Sequence, residues 1–195
     1  MARHRLDALL AHEVSVHLLT WFNGSTQGLS IFRTGLAQYE GVQEGLGVFA
    51  EWAVGGLTVT RIRLLAGRVV AVDAMLRGAG FIDCFDLLTR DLGFRPATAF
   101  SIAARVYRSG GFAKDAIYLR GFKAVIDALA NGATLDPFWL GKIAPGHLSA
   151  VEELLQRKLL QSPVFQPDFL EDSDTLARMA RLREGLPFYS ILSVE

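Results

Sequence analysis

The sequence has 195 residues, of which 51% are hydrophobic and 21% are charged. This length and composition predict a folded globular chain with a sizeable core and exclude extensive disorder. The 20 Lys and Arg residues balance the 20 Asp and Glu residues, and a net charge near zero argues against general nucleic-acid affinity. No apolar run reaches the length of a membrane span. We therefore expect a cytoplasmic protein with no nucleic-acid or membrane partner.

Helical patterns dominate the chain. Apolar residues recur at three- and four-residue steps in RLDALLAHEVSVHLLTWF, which predicts one buried helix over residues 5–22, ending at Asn23-Gly24. The Gly-rich residues 24–36 indicate a loop. Further helices are predicted over residues 38–54, 61–76, 81–93, 97–108, 114–132, after a turn at Pro145-Gly146, and at about 173–184 with Ser173 as N-cap.

The remaining stretches add no other class of structure. Pro163 and Pro167 predict an extended segment, and strand-like alternation never continues for more than a few residues. There is no repeat and no obvious linker. The single cysteine, Cys84, precludes an internal disulfide and a cysteine-based zinc site. The fold class is predicted to be mainly α, in one domain over residues 1–195.

Two histidines and a glutamate stand close together in HEVSVH, residues 12–17. In a regular α-helix, residues five apart lie about 140° apart around the axis, so His12 and His17 would not face one metal ion. A π-helical turn brings positions five apart to nearly the same face. The stretch therefore predicts a metal site only if the helix is distorted here. Otherwise the histidines are ordinary surface or packed side chains.

A third metal ligand is available on the predicted helix 38–54. Catalytic zinc sites use three protein ligands and leave a fourth position for water. Glu40, Glu44 and Glu51 lie near one face of this helix, and from the residues alone each is a candidate ligand or part of a solvated face. Glu13, next to His12, is the candidate general base.

A basic segment, RVYRSGGFAKDAIYLRG, covers residues 105–121. Bidentate arginine suits recognition of a terminal carboxylate, and a tyrosine hydroxyl can stabilise an oxyanion. Ion pairs with Asp115 are the alternative, and a turn is expected at Gly110-Gly111. The substrate-binding candidates are Arg105, Arg108, Lys114, Tyr118 and Arg120, with Tyr39 as a further oxyanion donor.

Taken together, HEVSVH and YEGVQEGLGVFAEW resemble the bacterial proteins named for a QEGLA motif and for modulation of flavohaemoglobin expression. That family is related to the eukaryotic microtubule-associated tyrosine carboxypeptidases, which look like zinc metallopeptidases with an H-E-x-x-x-H motif. The resemblance continues through RVYRSGGFAKDAIYLRG and GKIAPGH and covers nearly all of the chain.

The resemblance implies a helical domain like the helical part of a zincin-like metallopeptidase. Zinc would be bound by His12, His17 and Glu44, with Glu13 as catalytic base. The implied activity is that of a metallocarboxypeptidase acting near the C-terminus of a peptide or protein. Gly47 stands where the family motif has alanine, and this exchange is expected to leave the ligands untouched.

Members of that family are longer, and the resemblance places this chain in their C-terminal half. This difference leaves a second function open: an inactive or fragmentary helical domain whose structural metal site serves a binding or regulatory module. A homodimer is a further expectation from the reduced length. A third alternative, a metal-free bundle, requires HEVSVH and QEGLG to lie apart.

Overall fold

The computed structural model describes residues 3–108 and 114–185. These residues form helices and no β-strand, which confirms the mainly α fold class. None of the helices described is long and apolar enough to cross a membrane. The α-helices are α1 (Arg3–His12), α2 (Leu19–Thr26), α3 (Ile31–Thr34), α4 (Tyr39–Ala53), α5 (Val59–Leu76), α6 (Phe81–Asp86), α7 (Pro96–Tyr107), α8 (Ile117–Ala130), α9 (Leu148–Gln156) and α10 (Ser173–Arg183).

Shorter helical turns connect several of these helices. Two are π-helical, at Glu13–Leu18 and Leu87–Asp91, and four are 3₁₀ turns, at Lys114–Ala116, Asp136–Trp139, Pro145–His147 and Asp168–Glu171. The chain divides into two compact units, one formed by Met1–Thr58 with Arg120–Glu195 and the other by Val59–Leu119. The assignment of residues 1–195 to one metallopeptidase-like domain stays a prediction.

The first predicted helix contains the distortion that HEVSVH requires. The π-helical turn Glu13–Leu18 joins α1 to α2 without a break, because His12 and Leu19 on either side of it both have right-handed helical backbone angles. A π-helical turn carries one more residue than an α-helical turn. The structure therefore meets the condition that the sequence sets for a metal site at this motif.

The predicted helix end at Asn23-Gly24 is wrong, since α2 continues to Thr26. The buried Asn23 Nδ2 donates to the carbonyl oxygens of Trp139 and Phe165, each at 2.8 Å, and Oδ1 accepts from the Phe165 N–H at 3.0 Å. A Cβ on Gly24 would lie 2.4 Å from the Phe32 carbonyl oxygen. Both residues are therefore explained by tertiary packing and not by helix termination.

The predicted buried face of the first helix is also wrong. α1 packs on α4 through the small residues Ala8 and Ala11 and through His12, each of which is 5% exposed. Small side chains let the two helix axes approach, and the larger apolar residues then face outward. These residues are Leu6, Leu9, Leu10, Val14 and Leu18, which are 44–54% exposed.

Three smaller expectations need correction. The predicted loop 24–36 contains α3, and the predicted extended segment after Pro163 contains the 3₁₀ turn Asp168–Glu171. The N-cap of α10 is Asp172 and not Ser173, because the Asp172 carboxylate accepts from the backbone N–H groups of Asp174 and Thr175 at 2.8 and 3.2 Å. A carboxylate at this position satisfies two otherwise unpaired donors of the first turn.

Glycines set the crossing of α4 and α8 in the first unit. A Cβ on Gly121 would lie 2.0 Å from the Gly41 carbonyl oxygen, and one on Gly45 would lie 2.4 Å from the Gly121 carbonyl carbon. The backbones of the two helices are therefore in direct contact, which fixes α4 firmly in place. In the second unit, α5, α6 and α7 pack around a separate core, in which Cys84 is fully buried, as are its neighbours Leu88, Ala99, Ala103 and Val106.

Candidate metal centre

The side chains of His12, His17 and Glu44 converge. Their ligand atoms all lie within 4.8 Å of one another. The Glu44 Oε2 atom is 3.5 Å from His12 Nε2 and 3.7 Å from His17 Nε2. Ligands bound tetrahedrally to zinc at 2.0–2.2 Å are separated by about 3.4 Å. The three side chains therefore fit one metal ion, and the metal-free bundle with separated motifs is excluded.

The local backbone explains this convergence. The π-helical turn between the histidines brings both imidazoles to one face, with ring centroids 4.9 Å apart. Glu44 lies near the middle of α4 and is only 5% exposed. A carboxylate is rarely buried without a partner, because its desolvation is costly. The position of Glu44 is thus typical of a metal ligand and not of a solvated helix face.

Each histidine has a separate partner for its other ring nitrogen. His12 Nδ1 lies 2.8 Å from the Glu51 carboxylate, and His17 Nδ1 lies 3.2 Å from Gln43 Oε1. The Thr20 hydroxyl also donates to Gln43 Oε1, at 2.9 Å. Carboxylate and carbonyl partners of this kind fix the histidine tautomer and leave Nε2 free for a metal.

These partners include residues that the sequence did not indicate. Glu51 was a candidate ligand because it shares a face with Glu44, but it contacts the opposite nitrogen of His12. Gln43 lies within the QEGLG stretch itself, and Thr20 follows His17 by one helical turn. The signal for Glu51 and Thr20 was their helical spacing from the candidate ligands, which indicates a shared face without indicating which atom is contacted.

The carboxylates around His12 and its burial have opposite effects on the pKa of this residue. Burial alone would lower the pKa of His12, but hydrogen bonds to Glu44 and Glu51 and the charges of both carboxylates raise it from 6.5 to about 9. In the metal-free protein at neutral pH, His12 is therefore protonated between two acids. A metal ion would replace this proton as the positive charge that Glu44 and Glu51 compensate.

A comparison with known protein families shows to which family the chain belongs. Residues 1–186 match the family described as microtubule-associated tyrosine carboxypeptidase. The chain belongs to this family. Among curated proteins, no sequence matches it significantly. The resemblance inferred from HEVSVH and QEGLG is confirmed, and membership in a carboxypeptidase family now accompanies a buried group of side chains that could hold a metal ion.

Gly47 lies directly beneath the first histidine. A Cβ on Gly47 would lie 2.5 Å from both Cε1 and Nε2 of His12. The expectation that alanine and glycine are equivalent at this position does not hold for the ring as it lies here. An alanine in this member of the carboxypeptidase family would force the His12 ring to move.

The other glutamates near the centre are exposed. Glu13 is the first residue of the π-helical turn, and its side chain is open to solvent. Glu40, one turn before Glu44 on α4, is also exposed. An exposed carboxylate beside a ligand can exchange protons with water, so the catalytic role of Glu13 remains compatible with its position and stays a prediction.

The basic segment contains an ion-pair cluster in the second unit. Asp115 is 4% exposed, its Oδ1 accepts from Arg105 Nε, and Arg68 Nη1 lies 3.5 Å from the same oxygen. The hydrogen bond and the charge of Asp115 raise the pKa of Arg105 although burial opposes the shift. The alternative of an ion pair with Asp115 is thus confirmed for Arg105, whose substrate role stays a prediction.

The remaining candidates for substrate binding are dispersed. Arg108 is exposed at the end of α7. Lys114 is exposed and Tyr118 is half-buried in the same unit. Arg120 lines a cavity next to the part of α4 that faces α8. Tyr39 lies about 140° round α4 from Glu44, and the Lys142 ammonium is 5.7 Å from its ring centroid. The expected turn at Gly110-Gly111 lies outside the described residues.

Proposed function

We propose that this chain is a zinc-dependent metallocarboxypeptidase that removes a residue from the C-terminus of a peptide or protein. The observation that supports the proposal is the convergence of His12, His17 and Glu44 in a member of this family. Two imidazole nitrogens and one carboxylate oxygen are a donor set that suits zinc and leaves a coordination position open. Tyrosine is the terminal residue that the family description indicates.

Different residues of the chain have different roles in the proposed reaction. His12, His17 and Glu44 would hold the ion, which when bound supplies Lewis-acid chemistry at the scissile carbonyl. Glu13 accepts a proton from the attacking water molecule while the water oxygen bonds to the carbonyl carbon. As the C–N bond breaks, Glu13 returns the proton to the leaving amine. Glu51 and Gln43 hold the two imidazoles in the required orientation.

Recognition of the terminal carboxylate is proposed for the basic segment. Arg105 is already occupied by the buried Asp115. Arg108 is exposed and makes no side-chain hydrogen bond or ion pair with a residue that the structure describes. Its guanidinium can therefore bind a carboxylate through two parallel hydrogen bonds.

The experiment uses two peptides that end in tyrosine, one with a free carboxylate and one amidated. The zinc-loaded protein is expected to release tyrosine only from the free form. Glu13→Gln should retain zinc and lose at least about 100-fold of the rate, because it removes the general base without removing a ligand. Release that is unaffected by Glu13→Gln would contradict the assigned base. A zinc-loaded protein that cleaves neither peptide would favour the structural or regulatory metal site.

A further inference from the structure

The first unit contains a cavity of about 330 Å³ that is separate from the metal centre. It lies between the start of α4, α8 and the segment that follows α8. Its floor is apolar, and a cavity of this size is at the small end of the range for ligand pockets. The side chains that line it include Val42, Val125, Leu135, Phe138, Ala128 and Arg120.

The packing of α4 against α8 makes this cavity a fixed feature. The direct backbone contact between Gly41 and Gly121 prevents either helix from moving inward to fill the space. Ala124 and Ala128 follow Gly121 along the cavity, and their short side chains leave the space open. The cavity is therefore built by residue size at the helix crossing and does not depend on a mobile element.

A single cationic side chain lines the cavity. Arg120 is exposed and makes no side-chain hydrogen bond or ion pair within the described part of the chain. Gln38 is the other polar side chain of the lining, and no carboxylate belongs to it. A ligand that fits must therefore be apolar along most of its length and carry one negative charge at its end.

We propose that this cavity is a binding site for an aliphatic monocarboxylate of medium chain length. The chain would occupy the space over Val125, Leu135 and Phe138, and the carboxylate would pair with Arg120. A volume of about 330 Å³ holds about eleven groups of roughly 30 Å³ each, which corresponds to a carboxylate of eight or nine carbon atoms.

The site is independent of the proposed peptidase activity. Val42 lies about 160° round α4 from Glu44, so the cavity and the metal centre use different faces of the same helix. A carboxylate could also bind zinc directly. The test is therefore made on the metal-free full chain, where no zinc ion is present to bind the carboxylate.

The probes are octanoate and octanamide, which have the same size and differ in charge. Titration calorimetry is expected to show saturable binding of octanoate at one site, and octanamide should bind about tenfold more weakly. Arg120→Gln should abolish this difference between the probes. Ala128→Phe, which fills the cavity, should abolish binding of both, and Ala124→Phe serves as a second filling variant if the first does not fold. Glu44→Ala should leave octanoate binding unchanged.

Absence of saturable octanoate binding to the wild-type chain would overturn the proposal. It would also be overturned by octanoate binding that survives both filling variants, or by a preference for octanoate that persists in Arg120→Gln. If Glu44→Ala lost octanoate binding while the filling variants retained it, the octanoate would be assigned to the metal centre. That result would equally refute the cavity site.

Discussion

The Glu51 carboxylate lies 2.8 Å from Nδ1 of His12, on the side of the ring opposite the Nε2 atom that faces Glu44. Glu44 and Glu51 are separated by seven residues, or about two turns of α4, so one helix supplies both acids that contact this ring. A hydrogen bond from Nδ1–H of His12 to Glu51 would leave Nε2 available for a metal ion. The corresponding Nδ1 atom of His17 lies 3.2 Å from a neutral amide oxygen, Oε1 of Gln43.

Removal of Glu51 should weaken metal binding, although this carboxylate contacts Nδ1 of His12 and is not itself a proposed ligand. Glu51→Ala is expected to lower zinc affinity by about 10- to 100-fold, because partners of ligating histidines contribute to affinity in this range. Glu51→Gln keeps an oxygen acceptor and should lose less. The measurement is zinc competition with a chromophoric chelator. Glu40→Ala, an exposed glutamate on the same helix, is the control, and an equal affinity for Glu51→Ala and this control would refute the assigned role.

The metal-free protein should lose stability at alkaline pH. The pKa of His12 is about 9 in the folded state against 6.5 ordinarily, so the folded state holds this proton more tightly than the unfolded state. The stabilisation is fully present below pH 6.5 and is lost as the pH rises through about 9. Its full size is on the order of 3 kcal/mol.

Urea unfolding in the presence of a chelator, at pH 6 and at pH 9.5, measures this loss. A His12→Gln variant has no such proton and should show a much smaller difference between the two pH values. If the wild-type and variant proteins respond to pH equally, the carboxylates around His12 do not raise its pKa in solution.

A methyl group at Gly47 should displace the His12 ring, since the added Cβ would lie 2.5 Å from two ring atoms. Gly47→Ala is expected to lengthen the contact with Glu51 and to lower zinc affinity by roughly tenfold. Gly41→Ala is a matched control on the same helix, where an added Cβ meets nothing within 4 Å. The imidazole N–H signal of His12 in NMR spectra reports the ring directly. An unshifted signal in Gly47→Ala would show that the ring occupies another position.

The crossing of α4 and α8 should tolerate no side chain at Gly121. The Cβ of alanine would lie 2.0 Å from the carbonyl oxygen of Gly41, and a backbone atom cannot move aside as a side chain can. Gly121→Ala is expected to lower the free energy of unfolding by about 3 kcal/mol. Gly146→Ala, where nothing lies within 4 Å of the added Cβ, should change it little. Denaturant unfolding of both variants tests this, and similar midpoints would contradict the close crossing.

The convergence of the two histidines could be predicted from sequence because it depends on helix geometry. Two histidines five residues apart can share a metal only across a π-helical turn, and the structure contains that turn at Glu13–Leu18. Only the family motif singles out Glu44 as the third candidate ligand, since Glu40 and Glu51 have similar spacing. The separate role of Glu51 could not be predicted, because periodicity indicates a face and not an atom.

The burial of α1 illustrates a different limit. Its leucines and its alanines both repeat with helical spacing, and hydrophobicity favours burial of the larger side chains. The structure buries Ala8 and Ala11 instead, because α4 must approach closely for His12 to meet Glu44. The roles of Asn23 and Gly24 also lie beyond local sequence patterns, since the contacts that explain them come from residues 32, 139 and 165.

The metal content of the purified chain tests the proposed zinc site most directly. Elemental analysis after zinc loading and dialysis is expected to find about one zinc ion per chain in the wild-type protein and in Glu13→Gln. Glu44→Ala should retain almost none, because two histidines alone form an incomplete site. No bound zinc in the wild-type protein, or an equal content in Glu44→Ala, would contradict a metal centre formed by His12, His17 and Glu44.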